Sequence, residues 1–231
     1  MRVVVANPLF LLSAGPAAVA REGVAGTLEA GVEATAQLDE GERSLYDSIL
    51  RSFARGEPPD VTALATQAER LRIDLSVALA SLASDDLVHT GADGAITVAS
   101  PAGRPTAHRV QLDVHEVHAM CAIDALGMAP MFGRPIRVES SDPVSGDTVR
   151  VELAPDGDAS WTPQEAVVVS GSSCDGAAVN GCCHVLNFFS ARENAEQYLS
   201  ARADVRGIVI SIPEAIEAGR CVFGDALSEI R

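Results

Sequence analysis

Lysine is absent from this 231-residue sequence, so arginine supplies all 17 of its basic side chains. Acidic residues outnumber them with 32, which gives a formal net charge of −15. A surface of this sign repels nucleic acid and anionic membrane, because phosphate binding requires clustered positive charge. We therefore expect no nucleic-acid partner and no membrane partner, and the charge is compatible with a small-molecule substrate.

Cysteine is scarce as well, and the chain has an odd number of five. That count is atypical of a disulfide framework and indicates a reducing compartment. The first 21 residues match a signal peptide poorly, because their apolar stretch contains Pro8 and only Arg2 precedes it. No other segment approaches the ~18 apolar residues of a membrane span. We expect a cytoplasmic protein. The five cysteines are Cys121, Cys174, Cys182, Cys183 and Cys221.

Apolar residues make up 47% of the chain, enough for a substantial core. Residues 1–40 have no clear period and form an N-terminal extension of uncertain order. In residues 41–100, the spacing of Leu45, Ile49 and Phe53 predicts a first helix, and Asp60 caps a second. A third helix and a hairpin with a turn at Asp93-Gly94 follow, which is the order of a winged helix.

Charge decides the role that we predict for this module. Residues 73–103, which would form the recognition helix and the wing, contain neither arginine nor lysine. Without cations these elements gain little from DNA phosphates. The sequence therefore predicts a winged-helix-like module that packs against the rest of the protein and does not bind DNA.

The composition of residues 100–109 predicts a linker, and the core begins near residue 108 and runs to residue 231. Short β-rich runs ("PIRVESS", "DTVRVELAP", "EAVVVSG", "RGIVISI") alternate with turns, and two helices lie near the end. The predicted fold class is α+β: a winged-helix-like N-terminal module followed by a core of short, mostly antiparallel or mixed β-sheets flanked by helices.

Two residues in "CAID" are candidates for chemistry. Cys121 and Asp124 are three positions apart, so a helical turn brings them onto one face. An ionised thiol is a soft nucleophile and metal ligand, and a buried carboxyl is a proton carrier with a raised pKa. Alternatively, Cys121 is an ordinary core residue and Asp124 a helix cap.

The dipeptide Cys182-Cys183, followed by His184, is the second candidate. A strand alternates its faces, so only one of the two thiols should face a given pocket. A structural zinc site is a competing interpretation, in which His115, His118 and Cys121 are completed by Cys182 or His184. The usual paired-knuckle spacing is missing, which counts against zinc.

Together these motifs resemble a known family. The order "CAID", then "GRPIRVESSDPVSGD", then "GCCHVLNFF" is similar to organomercurial lyase (alkylmercury lyase), from about Gly41 to Leu227. The resemblance implies that the catalytic residues are Cys121, Asp124 and Cys182. It makes Cys183 a neighbour that packs inward. Asp142 stands where some members have a structural cysteine, and we expect a loss of buried support there.

The resemblance implies protonolysis of carbon–mercury bonds, giving a hydrocarbon and Hg(II). Cys121 and Cys182 would hold mercury transiently as substrate and product, and Asp124 would supply the proton. No resident cofactor is expected. Organomercurials would be the substrates, and low-molecular-weight thiols or a mercuric-reductase-type partner would remove Hg(II). The alternatives are an enzyme of the same fold with another substrate, and a non-enzymatic sensor or carrier of soft metal.

Overall fold

The computed structural model describes residues 37–57, 59–103, 105–173, 183–224 and 227. Its helices and strands form an α+β protein in which an eight-stranded and a three-stranded sheet pack around a buried helix. None of the described helices is both long enough and apolar enough to cross a membrane. The fold class predicted from the sequence is confirmed.

Three helices open the described chain: α1 (Glu40–Ala54), α2 (Val61–Leu71) and α3 (Leu75–Ser84). Each begins after an aspartate whose carboxylate accepts a hydrogen bond from a backbone N–H of the first turn. The buried residues of α1 include Leu45 and Ile49, as the helical spacing predicts. The three helices and the following hairpin occur in the predicted order, and their description as a winged helix stays a prediction. The caps are Asp39, Asp60 and Asp74.

The large sheet is antiparallel throughout, with the strand order β1-β2-β3-β5-β4-β6-β7-β8. The hairpin of the N-terminal part, β1 with β2, is therefore continuous with the sheet of the core. Its strands are β1 (Val88–Thr90), β2 (Ile96–Ala99), β3 (Ala102–Gly103), β4 (His108–Leu112), β5 (His115–Ala119), β6 (Ile136–Ser141), β7 (Thr148–Leu153) and β8 (Ala159–Thr162).

Two strands were not expected from the sequence. The segment predicted as a linker contains β3, where Ala102 is buried and pairs with both neighbouring strands. The edge strand β8 has no buried residue, so the apolar alternation that predicts a strand is missing there. Both form because a neighbouring strand supplies their backbone partners.

Helix α4 (Ala122–Phe132) lies in the centre of the core and is buried along nearly its whole length. It ends at Gly133, whose φ of 62° is the left-handed conformation that glycine adopts without strain. The second sheet has the order β10-β9-β11. It and the last helices comprise β9 (Val167–Ser173), β10 (Phe188–Phe189), α5 (Arg192–Ala201), β11 (Val205–Ser211) and α6 (Ile212–Phe223).

A buried histidine joins two strands of the large sheet. His108 is 3% exposed, and its Nδ1 lies 2.9 Å from Ser140 Oγ. Phe188 packs against the ring edge-on, with 5.8 Å between the ring centroids. Burial, helped by the neighbouring His118, lowers the pKa of His108 from 6.5 to about 4. The native state therefore holds this ring neutral well below the pH at which the unfolded chain protonates it.

We expect acid to destabilise the protein through His108. Between pH 6.5 and pH 4 the unfolded state binds this proton and the native state does not, so the contribution of this ring to stability falls as the pH falls. From pH 7 to pH 5 that contribution falls by about 2 kcal/mol, which appears as the change in the difference between wild type and a variant without the ring. Urea unfolding of wild type and His108→Gln at both pH values measures it. The variant should be less stable at pH 7 and lose less on acidification, and an equal loss in both proteins would contradict the assignment.

Candidate active site

Cys121 lies at the start of the buried helix, where the chain leaves β5. It is the N-cap residue of α4, has extended backbone geometry and is 2% exposed. Its Sγ accepts a hydrogen bond from the backbone N–H of Asp124, with a donor–acceptor distance of 3.4 Å. Aligned peptide dipoles make a helix N-terminus electropositive. The position therefore favours negative charge on this sulfur.

Asp124 occupies the first turn of the same helix and is 8% exposed. Burial raises the pKa of its carboxyl from 3.8 to about 7, although hydrogen bonds from the thiol and the backbone N–H of Cys121 act in the opposite direction. A carboxyl with this pKa can both accept and release a proton near neutrality. The predicted sharing of one helical face by Cys121 and Asp124 is confirmed.

A second thiol completes the group. Cys121 Sγ, Cys183 Sγ and a carboxylate oxygen of Asp124 all lie within 4.8 Å of one another. Cys183 is half-buried, whereas the other two residues are buried. Two sulfurs and one oxygen at this separation can hold one ion, and sulfur ligands select soft metals. Of the residues that the structure describes, this is the one set of at least three histidine, cysteine or acidic side chains that could do so.

Backbone hydrogen bonds hold the segment that carries Cys183. The N–H of Ala122, the residue after Cys121, donates to Leu186 O at 2.9 Å. The N–H of Val169 donates to Asn187 O at 3.0 Å, which ties the same segment to β9. Val185 and Leu186 are buried in the main core cluster. The thiol of Cys183 is thus brought to α4 by a long-range contact next to Cys121.

Cys182, predicted as the second catalytic cysteine, lies outside the described residues, as does Cys174. Cys183, which the resemblance makes a neighbour that packs inward, packs against the main core cluster, and its Sγ also lies within 4.8 Å of Cys121 Sγ and of a carboxylate oxygen of Asp124. The separate expectation that only one thiol of the dipeptide faces a pocket assumed that the dipeptide lies in a strand. Cys183 instead lies in a turn, and the strand begins only at Phe188. Alternation of faces along a strand therefore does not decide between the two thiols.

The histidines of the zinc interpretation do not join the group. His118 accepts a hydrogen bond from Thr106 N–H at 3.1 Å through its Nδ1, and His115 packs beside Gly56. Both histidines lie on β5, so their three-residue spacing places them on opposite faces of the strand. In the described ranges, no potential metal-binding group contains either of them.

Comparisons with known proteins identify the family of this chain. The family model of the alkylmercury lyases matches residues 102–224. A Bacillus cereus protein described as alkylmercury lyase is 28% identical over 188 residues, which are 81% of this chain and 84% of that protein. A Streptomyces lividans protein with the same description is 27% identical over 177 residues, which are 76% of this chain and 80% of that protein.

A solved structure has the same fold. The mercury-bound form of MerB2 superposes with a TM-score of 0.71 at 18% sequence identity, covering 87% of this chain and 98% of that one. The likeness in sequence extends over both the helix that carries Cys121 and the segment that carries Cys183. Because the family model matches more than half of the chain, this protein belongs to the alkylmercury lyase family, whose members are carbon–mercury lyases.

Proposed function

We propose that this chain cleaves carbon–mercury bonds by protonolysis and releases a hydrocarbon and Hg(II). One observation carries the proposal: two thiols and a carboxyl with a pKa near 7 lie together at the N-terminus of a buried helix. Breaking a carbon–mercury bond requires soft ligands for the metal and an acid for the departing carbon. This group supplies both.

In the proposed reaction, the thiolate of Cys121 first binds the organomercury cation R–Hg⁺. The second thiol transfers its proton to the Asp124 carboxylate, and the resulting thiolate becomes the second sulfur ligand of mercury. Donation by two sulfurs raises the electron density on carbon and weakens its bond to the metal. Asp124 then protonates that carbon. The carbon–hydrogen bond forms as the carbon–mercury bond breaks, which leaves R–H, Hg(II) held by two thiolates and an ionised Asp124.

The environment of Asp124 supports its double role. Hydrogen bonds from Cys121 hold the carboxyl beside the sulfurs, where it can accept the proton of the second thiol. Burial disfavours the ionised carboxylate, so Asp124 readily accepts the proton and still carries it near neutral pH, where the departing carbon can take it. An exposed aspartate would be ionised at neutral pH and would be a poor acid.

The resemblance to the family assigns the second sulfur to Cys182, and we retain Cys182 in the proposed site with Cys121 and Asp124. Cys183 competes for the same role, because its sulfur lies within 4.8 Å of Cys121 Sγ. The proposed complex needs one further sulfur besides Cys121, and either thiol of the dipeptide can supply it. Substituting Cys182 and Cys183 one at a time decides between them.

Hydrocarbon release from phenylmercury in excess low-molecular-weight thiol tests the proposal. Wild type should release benzene, and Cys121→Ser should fall to the background rate because mercury loses its first sulfur ligand. The resemblance to the family predicts that Cys182→Ser falls to background as well and that Cys183→Ser retains activity. The reverse pattern would transfer the role of second ligand to Cys183.

Other outcomes favour other functions. Tight binding of phenylmercury without benzene would favour a carrier or sensor of soft metal. Neither binding nor release would favour an enzyme of the same fold with a different substrate. In the proposed cycle the final Hg(II) leaves to external thiols or to a mercuric-reductase-type partner, and the chain needs no resident cofactor. We place this activity in the cytoplasm, where thiols stay reduced.

A further inference from the structure

Asp142 is a buried carboxylate outside the candidate site. It follows β6, is 1% exposed, and accepts five hydrogen bonds. Among the described residues, no arginine or histidine lies within 4.0 Å of its oxygens as an ion-pair partner. Burial acts to raise its pKa, but the hydrogen bonds outweigh burial and the pKa lies below 3.8. A cluster of neutral donors thus stabilises a negative charge in the interior.

The two oxygens of Asp142 bind different parts of the chain. Oδ1 accepts from the N–H groups of Val144 and Ser145 at 2.8 and 3.2 Å, within the turn between β6 and β7. Oδ2 accepts from Ser190 N–H at 2.8 Å, Ser190 Oγ at 3.0 Å and Asn194 Nδ2 at 2.8 Å. The carboxylate therefore bridges the large sheet to the point where β10 ends and α5 begins.

This bridge anchors the segment that begins with Cys183, one of the two candidates for the second thiol. The segment 183–190 begins at Cys183 and ends at Ser190. Three of the long-range hydrogen bonds described above hold its backbone outside β10: Ala122 N–H to Leu186 O, Val169 N–H to Asn187 O, and Ser190 N–H to Asp142 Oδ2. Helix α5 has no side-chain cap of its own at Ala191. The Asp142 carboxylate places a negative charge near the N-terminus of that helix, which is favourable there.

We propose that Asp142 is a positioning residue, which holds the segment 183–190 so that its Cys183 end stays beside Cys121, where the second sulfur has to meet the mercury ion. The inference rests on the proposed function, since it concerns the two-sulfur complex. It also corrects the expectation that the aspartate removes buried support. A thiol at this position would be a weak acceptor, whereas the carboxylate accepts bonds from four residues.

The test uses Hg²⁺ as the probe and the full chain as the protein. X-ray absorption and the sulfur-to-mercury charge-transfer band count the sulfur ligands, and competition with a small thiol gives the rate of mercury removal. We expect Hg²⁺ to be bound by two protein sulfurs in wild type and by one in Asp142→Asn. In that variant an NH₂ group replaces a carboxylate oxygen that accepts hydrogen bonds from Ser190 and Asn194. Mercury removal should be at least about tenfold faster, as expected when one of two ligands is lost.

A milder variant keeps the proposal testable if Asp142→Asn does not fold. Asn194→Ala removes one donor and leaves the carboxylate in place, and we expect removal of mercury to accelerate about fivefold, the equilibrium factor of one hydrogen bond. Asp74→Ala, which removes the exposed cap of α3, is the control for general destabilisation and should keep wild-type mercury removal.

The outcomes separate this inference from the proposed function. Two sulfurs in wild type and also in both Asp142→Asn and Asn194→Ala, with unchanged removal rates, would overturn the positioning role alone. Failure of wild type to bind Hg²⁺ through two sulfurs would overturn the proposed site. If Asp74→Ala accelerates mercury removal as much as the Asp142 variant does, the effect comes from general destabilisation. That result would also overturn the positioning role of Asp142.

Discussion

Asp124→Asn should lower the rate of hydrocarbon release about 10²–10⁴-fold, the usual contribution of a positioned general acid. The amide has nearly the size of the carboxyl, but it cannot carry the proton that the departing carbon needs. Both thiols remain, so the variant should still bind the organomercurial. Product analysis by gas chromatography, together with a stoichiometric binding assay, separates the chemical step from binding.

The same variant should gain stability at neutral and alkaline pH. The pKa of Asp124 is about 7 in the native state and 3.8 ordinarily, so between these values the native state binds a proton that the unfolded chain has released. The stability associated with the neutral carboxyl is therefore present below pH 3.8 and is lost as the pH rises through about 7. Asparagine has no such charge to bury, so its pH dependence should be flatter.

These opposite changes distinguish a functional aspartate from a structural one. A carboxyl that served mainly to cap α4 would lose stability and activity together on substitution. We expect urea unfolding at pH 8 to show Asp124→Asn at least as stable as wild type, while its turnover is nearly lost. Full retention of hydrocarbon release by this variant would remove Asp124 from the mechanism.

Local spacing accounts for the parts of the molecule that the sequence predicted well. The three-residue interval between Cys121 and Asp124 is a property of one helical turn, so their proximity follows without knowledge of the fold. Asp60 likewise accepts a hydrogen bond from the N–H of Thr62, two residues later. Such contacts form between residues a few positions apart, so they can be predicted without knowledge of the fold.

Contacts that depend on the assembled fold were predicted less well. Nothing in the composition of "GCCH" says which thiol faces Cys121, because a turn at Cys183 replaces the strand whose alternation we assumed. Asp142 was expected to weaken its surroundings, yet Ser190 and Asn194, about fifty positions later, supply its donors. Long-range pairing of this kind has no local signal in a single sequence.

The close approach of α4 and α6 makes Gly219→Val the substitution with the largest expected effect on stability. A Cβ atom at Gly219 would lie 2.7 Å from Gly127 N and 2.9 Å from Ile123 O, both of them backbone atoms of α4. Backbone cannot rotate away as a flexible side chain can, so the helices must separate. We expect a loss of about 3 kcal/mol, at the upper end of overpacking costs, in chemical denaturation.

The control is Ala80→Val in the exposed part of α3, which measures the intrinsic helix cost of valine, about 0.5 kcal/mol. Gly219→Val should exceed this cost several-fold, and a similar cost for both variants would mean that the helices are not in close contact. Because Ile123 and Gly127 flank the first turns of α4, any separation also shifts Asp124 relative to the thiol of Cys183. The folded fraction of Gly219→Val should therefore show slower hydrocarbon release, which Ala80→Val should not.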